Sequence, residues 1–187
     1  MISPLETPRL VLKPLELADA RQIQILFPRW EIVKFLNNKV PWPYPPDGAE
    51  FYCRELALPA MERGEAWHWT IRLKENPNRL IGRVSLERGD RDNRGFWVGL
   101  PWQGKGYMTE ACAWVNDYWF ETLGFPVLRV AKSVANTASR RISEKHGMRL
   151  VGTEMRDYTS GRAEADVWEI TAEEWRAWKA RDLAPDH

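Results

Sequence analysis

A glycine-rich stretch near the middle of the chain has the residue types that bind phosphate groups. Gly104 and Gly106 flank Lys105, and the residues that follow carry apolar side chains at helical spacing. The first amides of a helix have no intrahelical acceptor, and the helix dipole favours negative charge at that end. Glycine lets the backbone turn sharply and approach a ligand closely. The stretch therefore predicts an anion-binding loop that leads into a helix.

Two other phosphate-binding loops share part of this pattern but fit it less well. A P-loop is matched by Gly99, Gly104 and the lysine that follows, but Gly106 stands where a hydroxyl must bind magnesium. A dinucleotide-binding loop is matched by Gly104 and Gly106, but Thr109 stands at its third glycine. No βαβ unit at the N-terminus supports that second loop either. A pyrophosphate held by the amides of residues 104–109 is the interpretation that remains.

The elements that must position this loop follow from hydrophobic spacing and from the positions of proline and glycine. A strand is predicted over residues 95–100, directly before the loop. A long helix is predicted over residues 105–123, where apolar side chains share one face and Gly124 follows. The other predicted strands span residues 7–14, 66–73, 79–87, 127–134, 149–156 and 164–170. The other predicted helices span residues 17–27, 31–36, 47–63, 136–146 and 171–181.

The composition is that of an ordinary globular protein of 187 residues, enough for one domain with a sizeable core. Lys and Arg total 27 against 26 Asp and Glu, so the net charge of +1 is not typical of a nucleic-acid-binding protein. Without a secretion signal or an apolar run of ~18 residues, we expect a cytoplasmic protein with no membrane partner. Cys53 and Cys112 lack metal-binding spacing, and no metal site is expected. Alternating strands and helices predict one domain over residues 1–187, of the α/β or α+β class, around a mixed sheet.

Two segments resemble a known family. Gln103–Ala111, QGKGYMTEA, resembles the acetyl-coenzyme A loop of the GNAT superfamily of N-acetyltransferases, and it is most similar to the RimJ/RimL-type branch. Ala135–Met148 resembles the family's Asn-x-x-Ser…Lys-x-Gly-Phe helix, one helix and one strand after the loop. Weaker matches at Thr7–Leu12 and Leu80–Ser85 extend the resemblance. Together they cover most of the chain.

The resemblance implies a GNAT-like fold, with a mixed and mostly antiparallel central sheet, flanking helices and splayed strands at the cofactor site. It also implies that acetyl-coenzyme A is the cosubstrate and that an amine attacks the acetyl carbonyl directly. A backbone amide near Val98 or Gly99 would polarise that carbonyl. The residues implied in cofactor binding are Trp97, Val98, Gly99, Leu100, Gln103, Gly104, Lys105, Gly106, Tyr107, Met108, Thr109, Asn136 and Ser139.

The proton-transfer groups are less completely defined than the binding groups. In the RimJ/RimL-type branch the residue at Ser139 is implied as the general acid for the leaving thiolate, whereas other relatives place a tyrosine where this chain has Ser143. Many relatives carry a glutamate in the strand before the loop, but residues 95–98 contain no carboxylate. Glu87, at the end of the preceding predicted strand, is the candidate general base through water. His68 and an ordered chain of waters are alternatives.

The acceptor amine is expected between the early helices, with their loop, and the far end of the sheet. Aromatic side chains suit such a pocket. The residues expected to line it are Trp42, Tyr44, Trp67 and His68. Trp42 and Tyr44 belong to the proline-rich stretch 40–46, which is also compatible with a rigid surface loop that packs its own rings.

These features predict an acetyl-coenzyme A-dependent N-acetyltransferase that acts on a primary amine, either a protein N-terminal α-amine or a small amine. A non-catalytic acyl-coenzyme A sensor is the alternative, because the strand carboxylate is missing, and a nucleotide binder is a distant third. The sequence leaves monomer and homodimer open. Trp175 and Trp178 of the last predicted helix can pack against the domain or against a second copy.

Overall fold

Eight strands form two antiparallel sheets within residues 2–182, which are the residues that the computed structural model describes. The strands are β1 (Leu5–Glu6), β2 (Leu10–Pro14), β3 (Ala66–Leu73), β4 (Asn76–Glu87), β5 (Arg94–Val98), β6 (Val127–Ser133), β7 (Arg149–Tyr158) and β8 (Gly161–Thr171). The first sheet has the order β1-β2-β3-β4-β5, and the second has the order β6-β8-β7.

The α-helices are α1 (Ala20–Leu26), α2 (Trp30–Val33), α3 (Gly48–Phe51), α4 (Leu58–Glu62), α5 (Tyr107–Asp117), α6 (Thr137–Lys145) and α7 (Ala172–Asp182). Short 3₁₀ turns lie at Leu17–Asp19 and Leu100–Trp102. Antiparallel sheets flanked by helices confirm the expected fold class.

Each face of the first sheet is covered by its own set of helices. On one face Trp69 and Ile71 pack in a core that includes Cys112 and Val115 of α5. On the other face a second core, contributed by α1 to α4, includes Trp97 of β5. The strand β3 is buried on both sides, because successive side chains point to opposite faces. The first sheet is therefore the central layer of the molecule.

The two sheets meet at β5 and β6, but these strands part after one set of contacts. The Asn93 amide donates to the Arg129 carbonyl at 2.7 Å, and the Arg129 amide donates to the Asn93 side-chain oxygen at 2.8 Å. Beyond that point no ladder pairs β5 with β6 in the part of the chain that the structure describes. The strands splay at the position that the family resemblance implies for the cofactor.

Two helices widen into π turns where the sequence predicts regular helix. The predicted helix over residues 47–63 is divided into α3, a π turn at Tyr52–Ala57, and α4. Pro59 lies just inside α4. Proline lacks an amide donor and crowds the carbonyl four residues earlier, and the wider turn ahead of it accommodates both effects. A second π turn, Tyr118–Thr122, follows α5.

A buried ion pair joins the start of the helical layer to the first sheet. Arg72 Nη2 lies 2.5 Å from Asp19 Oδ1, and the two side chains are 7% and 6% exposed. Arg72 also donates to the Thr70 hydroxyl at 3.3 Å and to the Pro77 carbonyl at 3.2 Å. The Arg72 guanidinium is thus neutralised and hydrogen-bonded within the protein.

We expect Asp19→Ala to lower the free energy of unfolding by about 3–5 kcal/mol, because the variant leaves the Arg72 charge buried without a partner. The control is Glu6→Ala, which removes an exposed ion pair with Lys74 and should cost about 0–1 kcal/mol. Urea denaturation of both variants measures the difference. Equal losses in the two variants would contradict a structural role for the buried pair.

Candidate active site

The loop before α5 presents a row of unsatisfied backbone donors. The amides from Gly104 to Thr109 donate to no acceptor among residues 2–182, and the Glu110 amide is the first to bond back, to the Gly106 carbonyl at 3.0 Å. Gly104 and Gly106 have φ angles of +73° and +77°, in the left-handed region that favours glycine. The donors lie at the positive end of the helix dipole. This loop can bind a pyrophosphate through its backbone alone.

Side chains from the N-terminal segment fix the loop in place. Arg9 Nε donates to Glu110 Oε2 at 2.6 Å, and Arg9 Nη1 donates to the Lys105 carbonyl at 3.0 Å. The Thr7 hydroxyl donates to Glu110 Oε1 at 2.5 Å. Burial raises the pKa of Glu110, but hydrogen bonds from Thr7 and Arg9 and the charge of Arg9 outweigh it, so the pKa is lowered overall. The Glu110 carboxylate is therefore engaged in holding the loop.

The last residue of β5, Val98, turns its backbone amide toward the gap between the sheets. The Gly99 amide donates to the Ile81 carbonyl of β4 at 2.8 Å, so it is already satisfied. Because strand groups alternate between edges, the Val98 amide points away from β4. Gln103 Nε2 donates to the Val98 carbonyl at 3.2 Å on that same edge. Of the two amides expected to polarise the acetyl carbonyl, the structure leaves only the one at Val98 open.

The helix α6 brings two serines against β6. Asn136 caps the helix by accepting from the Ser139 amide at 3.2 Å. Lys132 Nζ donates to the Ser139 carbonyl at 3.1 Å and to the Ser143 hydroxyl at 2.5 Å. Burial, followed by the nearby charge of Arg94, lowers the pKa of Lys132 to about 7. A neutral amine keeps two N–H groups, which are enough for both of these hydrogen bonds.

A polar cluster lies on the face of the first sheet that α1 to α4 cover, next to α3 and the π turn that follows it. Arg83 Nη1 donates to the Tyr52 hydroxyl at 2.5 Å and lies 3.1 Å from His68 Nδ1. Burial and the Arg83 charge hold the pKa of His68 well below its usual value. Since His68 Nδ1 accepts from Arg83, the proton of the neutral ring is on Nε2. His68 is therefore a weak base in this setting.

An aromatic wall adjoins this cluster. The Phe27 ring centroid lies 5.1 Å from that of Tyr44 and 5.2 Å from that of Trp97. Burial, together with neighbouring Cys53, raises the pKa of Tyr44 to about 12. The loop beyond α2 is fixed to the β7–β8 hairpin, where the Thr159 amide donates to the Leu36 carbonyl at 2.9 Å. Because Trp97 and His68 point to the same face of the first sheet, Tyr44 and His68 lie on the same side of that sheet.

The structure does not bring every predicted site residue together. Trp67 lies on the other face of β3, where its ring centroid is 6.5 Å from that of Trp119, so it cannot share a pocket wall with His68. Trp42 is 43% exposed and packs against Trp30 at 5.4 Å. Glu87 is exposed at the end of β4.

Sequence reasoning missed Arg9, Arg83 and Lys132. In β4, Arg83, Ser85 and Glu87 alternate with apolar residues. This alternation could have predicted that the three polar side chains share one face of the sheet. No local signal pointed to Arg9, because its partner lies about a hundred residues away in the chain. Lys132 lies between Ala131 and Ser133 in β6, and these neighbours gave no indication of its serine partners in α6.

Two kinds of feature are absent from residues 2–182. No cluster of three or more His, Cys, Asp or Glu side chains there is arranged to hold a metal ion. Among those same residues, the helices are too short or too polar to span a bilayer.

Comparison with known proteins identifies similar sequences and folds. A family model described as an acetyltransferase (GNAT) domain matches residues 9–149. YdaF of Bacillus subtilis, provisionally named a ribosomal N-acetyltransferase, is 35% identical over 72 residues. That alignment covers 36% of this chain and 39% of YdaF, so the chain spans less than half of that relative.

Solved structures match over nearly the whole chain. The ribosomal-protein-S5-alanine acetyltransferase of Vibrio fischeri has a TM-score of 0.78 at 17% identity, covering 93% of this chain and 99% of that chain. The L7/L12 α-N-protein acetyltransferase RimL, solved with coenzyme A, has a TM-score of 0.77 at 14% identity, covering 90% of this chain and 98% of that chain. At these identities the two structures establish the fold alone.

We expect Gly104→Ala and Gly106→Ala each to raise the Kd for coenzyme A by about tenfold or more. A left-handed conformation costs a non-glycine residue ~1–2 kcal/mol, and relaxing it turns the amides away from the ligand. Gly124→Ala is the matched control, because Gly124 also has positive φ, at +72°, and lies beyond the π turn that follows α5. Scanning calorimetry should show similar losses of stability in all three variants. Titration calorimetry should show an unchanged Kd for coenzyme A only in the control. An unchanged Kd in both loop variants would contradict the assignment.

We expect the free energy of unfolding of the wild type to rise with pH, relative to Lys132→Met, between about pH 7 and about pH 10. In this range the unfolded lysine holds its proton while the buried one, with its lowered pKa, has released it, so the unfolded state binds more protons. The slope of the difference should approach ~1.4 kcal/mol per pH unit. Denaturant titrations at stepped pH measure it, and a flat difference would show that the buried lysine keeps its proton.

Proposed function

The chain belongs to the GNAT acetyltransferase family, and from this premise we propose that it transfers an acetyl group from acetyl-coenzyme A to a primary amine. The observation that carries the proposal is the row of unsatisfied amides from Gly104 to Thr109, beside the free edge of β5. We propose a cytoplasmic enzyme whose acceptor is a protein N-terminal amine. The names of YdaF and of the two ribosomal-protein acetyltransferases support that acceptor.

The residues present fit this cosubstrate. The amides of residues 104–109 suit its pyrophosphate, and the gap between β5 and β6 offers an unpaired strand edge to its amide-containing arm. The side chain of Lys105 is exposed and free to meet a phosphate. Acetyl-coenzyme A supplies the activated acetyl group as a thioester. The chain holds that group near Val98, whose amide is placed to stabilise a developing oxyanion.

Ser139 and a carboxylate are the proposed proton-transfer groups. Ser139 is 8% exposed, and it is held by Asn136 and Lys132 at the start of α6. It would protonate the leaving thiolate. Glu87 shares the face of Arg83 and is proposed to receive the amine's proton through water.

A second carboxylate, that of Asp92, lies where the two sheets meet, next to Asn93 in the chain. Asp92 Oδ2 accepts from Arg156 Nη1 at 3.0 Å, and Asp92 Oδ1 accepts from the Ala131 amide at 3.4 Å. Although 41% of its side chain is exposed, burial by the surrounding protein raises the pKa of Asp92 to about 6, and the Arg156 charge opposes that rise. A carboxylate with that pKa is able to accept a proton near neutral pH, so Asp92 is a candidate base that the sequence did not suggest.

Calorimetry with coenzyme A and a thiol-release assay with acetyl-coenzyme A and a panel of N-terminal peptides test the function. We expect tight binding and amine-dependent thiol release. In the same assay Ser139→Ala should lower kcat by about tenfold or more while changing the KM for acetyl-coenzyme A by less than about threefold, because it removes the proposed proton donor but leaves the backbone amides that are proposed to hold the cosubstrate. Ser143→Ala is the comparison, since Ser143 is fully buried against Lys132 and should affect mainly stability.

Two outcomes would contradict the proposal. No uptake of coenzyme A would remove the acetyltransferase assignment altogether. Tight binding without turnover on any amine would favour the acyl-coenzyme A sensor, which the lack of a carboxylate in β5 already permits. An unchanged kcat in Ser139→Ala would exclude that serine from the reaction.

A further inference from the structure

Two arginines lie on the face of the first sheet that α1 to α4 cover, and they differ in how their charge is balanced. Arg72 is paired with the buried carboxylate of Asp19. Arg83, on the neighbouring strand, has no carboxylate at ion-pair distance among the residues that the structure describes. Its Nη1 bonds are to the neutral groups of Tyr52 and His68. The positive charge of Arg83 is therefore not offset within its own contacts.

The groups around Arg83 stay neutral near physiological pH. Burial raises the pKa of Cys53 to about 11, and it raises the pKa of Tyr44 to about 12. Burial also lowers the pKa of His68. The carboxylate of Glu87 acts on Arg83 through its charge, but it is exposed at the end of the strand. A cation kept in such surroundings favours an anionic partner from outside the protein.

Arg83 is also placed beside the proposed reaction site. It lies directly opposite Trp97 on β5, one residue before Val98. It is partly exposed, and its Nε and Nη2 atoms have no acceptor within residues 2–182. The Tyr52 ring centroid lies 4.7 Å from the Arg83 guanidinium and limits the directions from which a ligand can approach. Two free nitrogens of a planar guanidinium suit a bidentate carboxylate.

We infer that Arg83 binds a carboxylate of the acceptor, so that the preferred acceptors are amines that also carry an acidic group. This inference rests on the proposed acetyltransferase function and narrows its substrate class. Acidic N-terminal peptides and acidic amino acids share the required chemistry. Polyamines and aminoglycoside-like amines are disfavoured, because a second positive charge would be repelled by Arg83.

The same contact would also position the acceptor for the proposed reaction. Pairing with the carboxylate offsets the charge of Arg83 and fixes the acceptor at a point one residue away, across the sheet, from the register of Val98. A reactant held in one orientation reacts faster than one that is free to move. Arg83 would thus select the acceptor and orient its amine.

The test compares C-terminally amidated peptides that differ at one position near the N-terminus, where the residue is Glu, Gln or Arg. Free glutamate and spermidine complete the panel and separate a peptide from an amino acid and from a polyamine. Coenzyme A binding is measured first by calorimetry, and kcat/KM is then measured by thiol release. We expect kcat/KM to be at least about tenfold higher for the Glu peptide or for glutamate than for the Gln peptide, and lowest for the Arg peptide and spermidine.

Variants at the same position test the residue itself. Arg83→Gln should abolish the preference for the acidic acceptor through a raised KM, while the Kd for coenzyme A and the rate on the Gln peptide change by less than about threefold. Arg83→Lys keeps the charge and should keep part of the preference, and it decides the matter if Arg83→Gln does not fold. Arg176→Gln, on the exposed side of α7, is the control and should behave as the wild type.

The outcomes separate this inference from the function on which it rests. Coenzyme A binding with turnover but equal kcat/KM for Glu and Gln peptides overturns the role of Arg83 alone. A preference for spermidine or the Arg peptide, or an acidic preference that survives in Arg83→Gln, also overturns it. Absence of coenzyme A binding, or of turnover on every acceptor, overturns the proposed function and this inference with it.

Discussion

The parting of β5 from β6 is the constraint on which the rest of the site depends. Backbone donors and acceptors at a strand edge must find partners, and an open edge inside a fold is normally closed by another strand. Here the contacts between Asn93 and Arg129 close one end of the gap, and the strands then belong to different sheets. The open edge is tolerated when water or a ligand with amide groups of its own satisfies it. A pocket formed by backbone in this way binds an extended molecule and needs few specific side chains.

The loop before α5 continues the same principle. The unsatisfied amides that start at Gly104 follow the open edge at Val98 after only a short turn, and the Gln103 side chain joins the two by donating to the Val98 carbonyl. Arg9 and Glu110 hold the far side of the loop against the N-terminal segment. The spacing between the edge and the loop is therefore fixed by the protein before a ligand arrives. Such preorganisation reduces the ordering that binding would otherwise require.

The sequence was most informative where a local rule determines a local structure. Glycines at 104 and 106 were sufficient to predict the amide loop, and both have the positive φ that only glycine adopts readily. Asn136 and Thr171 were predicted as helix starts, and both cap their helices through side-chain hydrogen bonds. These features depend on neighbours within a few residues, so a single sequence contains them.

Contacts between segments that are distant in the sequence could not be predicted from such local patterns. The pairing of Arg83 with Tyr52 depends on how a helix lies over a sheet, and that arrangement is set by packing over the whole domain. One error was avoidable, because Trp67 and His68 are successive strand residues and must face opposite sides. The alternation pattern alone was enough to exclude one of them from the acceptor pocket.

The two π turns explain why the hydrophobic spacing predicted regular helices over residues 47–63 and 105–123, whereas the structure has a wider turn in each segment. A wider turn rotates the following residues relative to a regular helix, so that successive side chains can both face inward. In the turn after α5, Trp119 and Phe120 are both buried, at 2% and 3% exposure, which a regular helix packed on one side does not readily allow. In the turn after α3, Cys53 is buried in the core while Tyr52, beside it, reaches the guanidinium of Arg83. The irregular turn is thus what allows one short segment both to close the second core and to contact the polar cluster of Arg83 and His68.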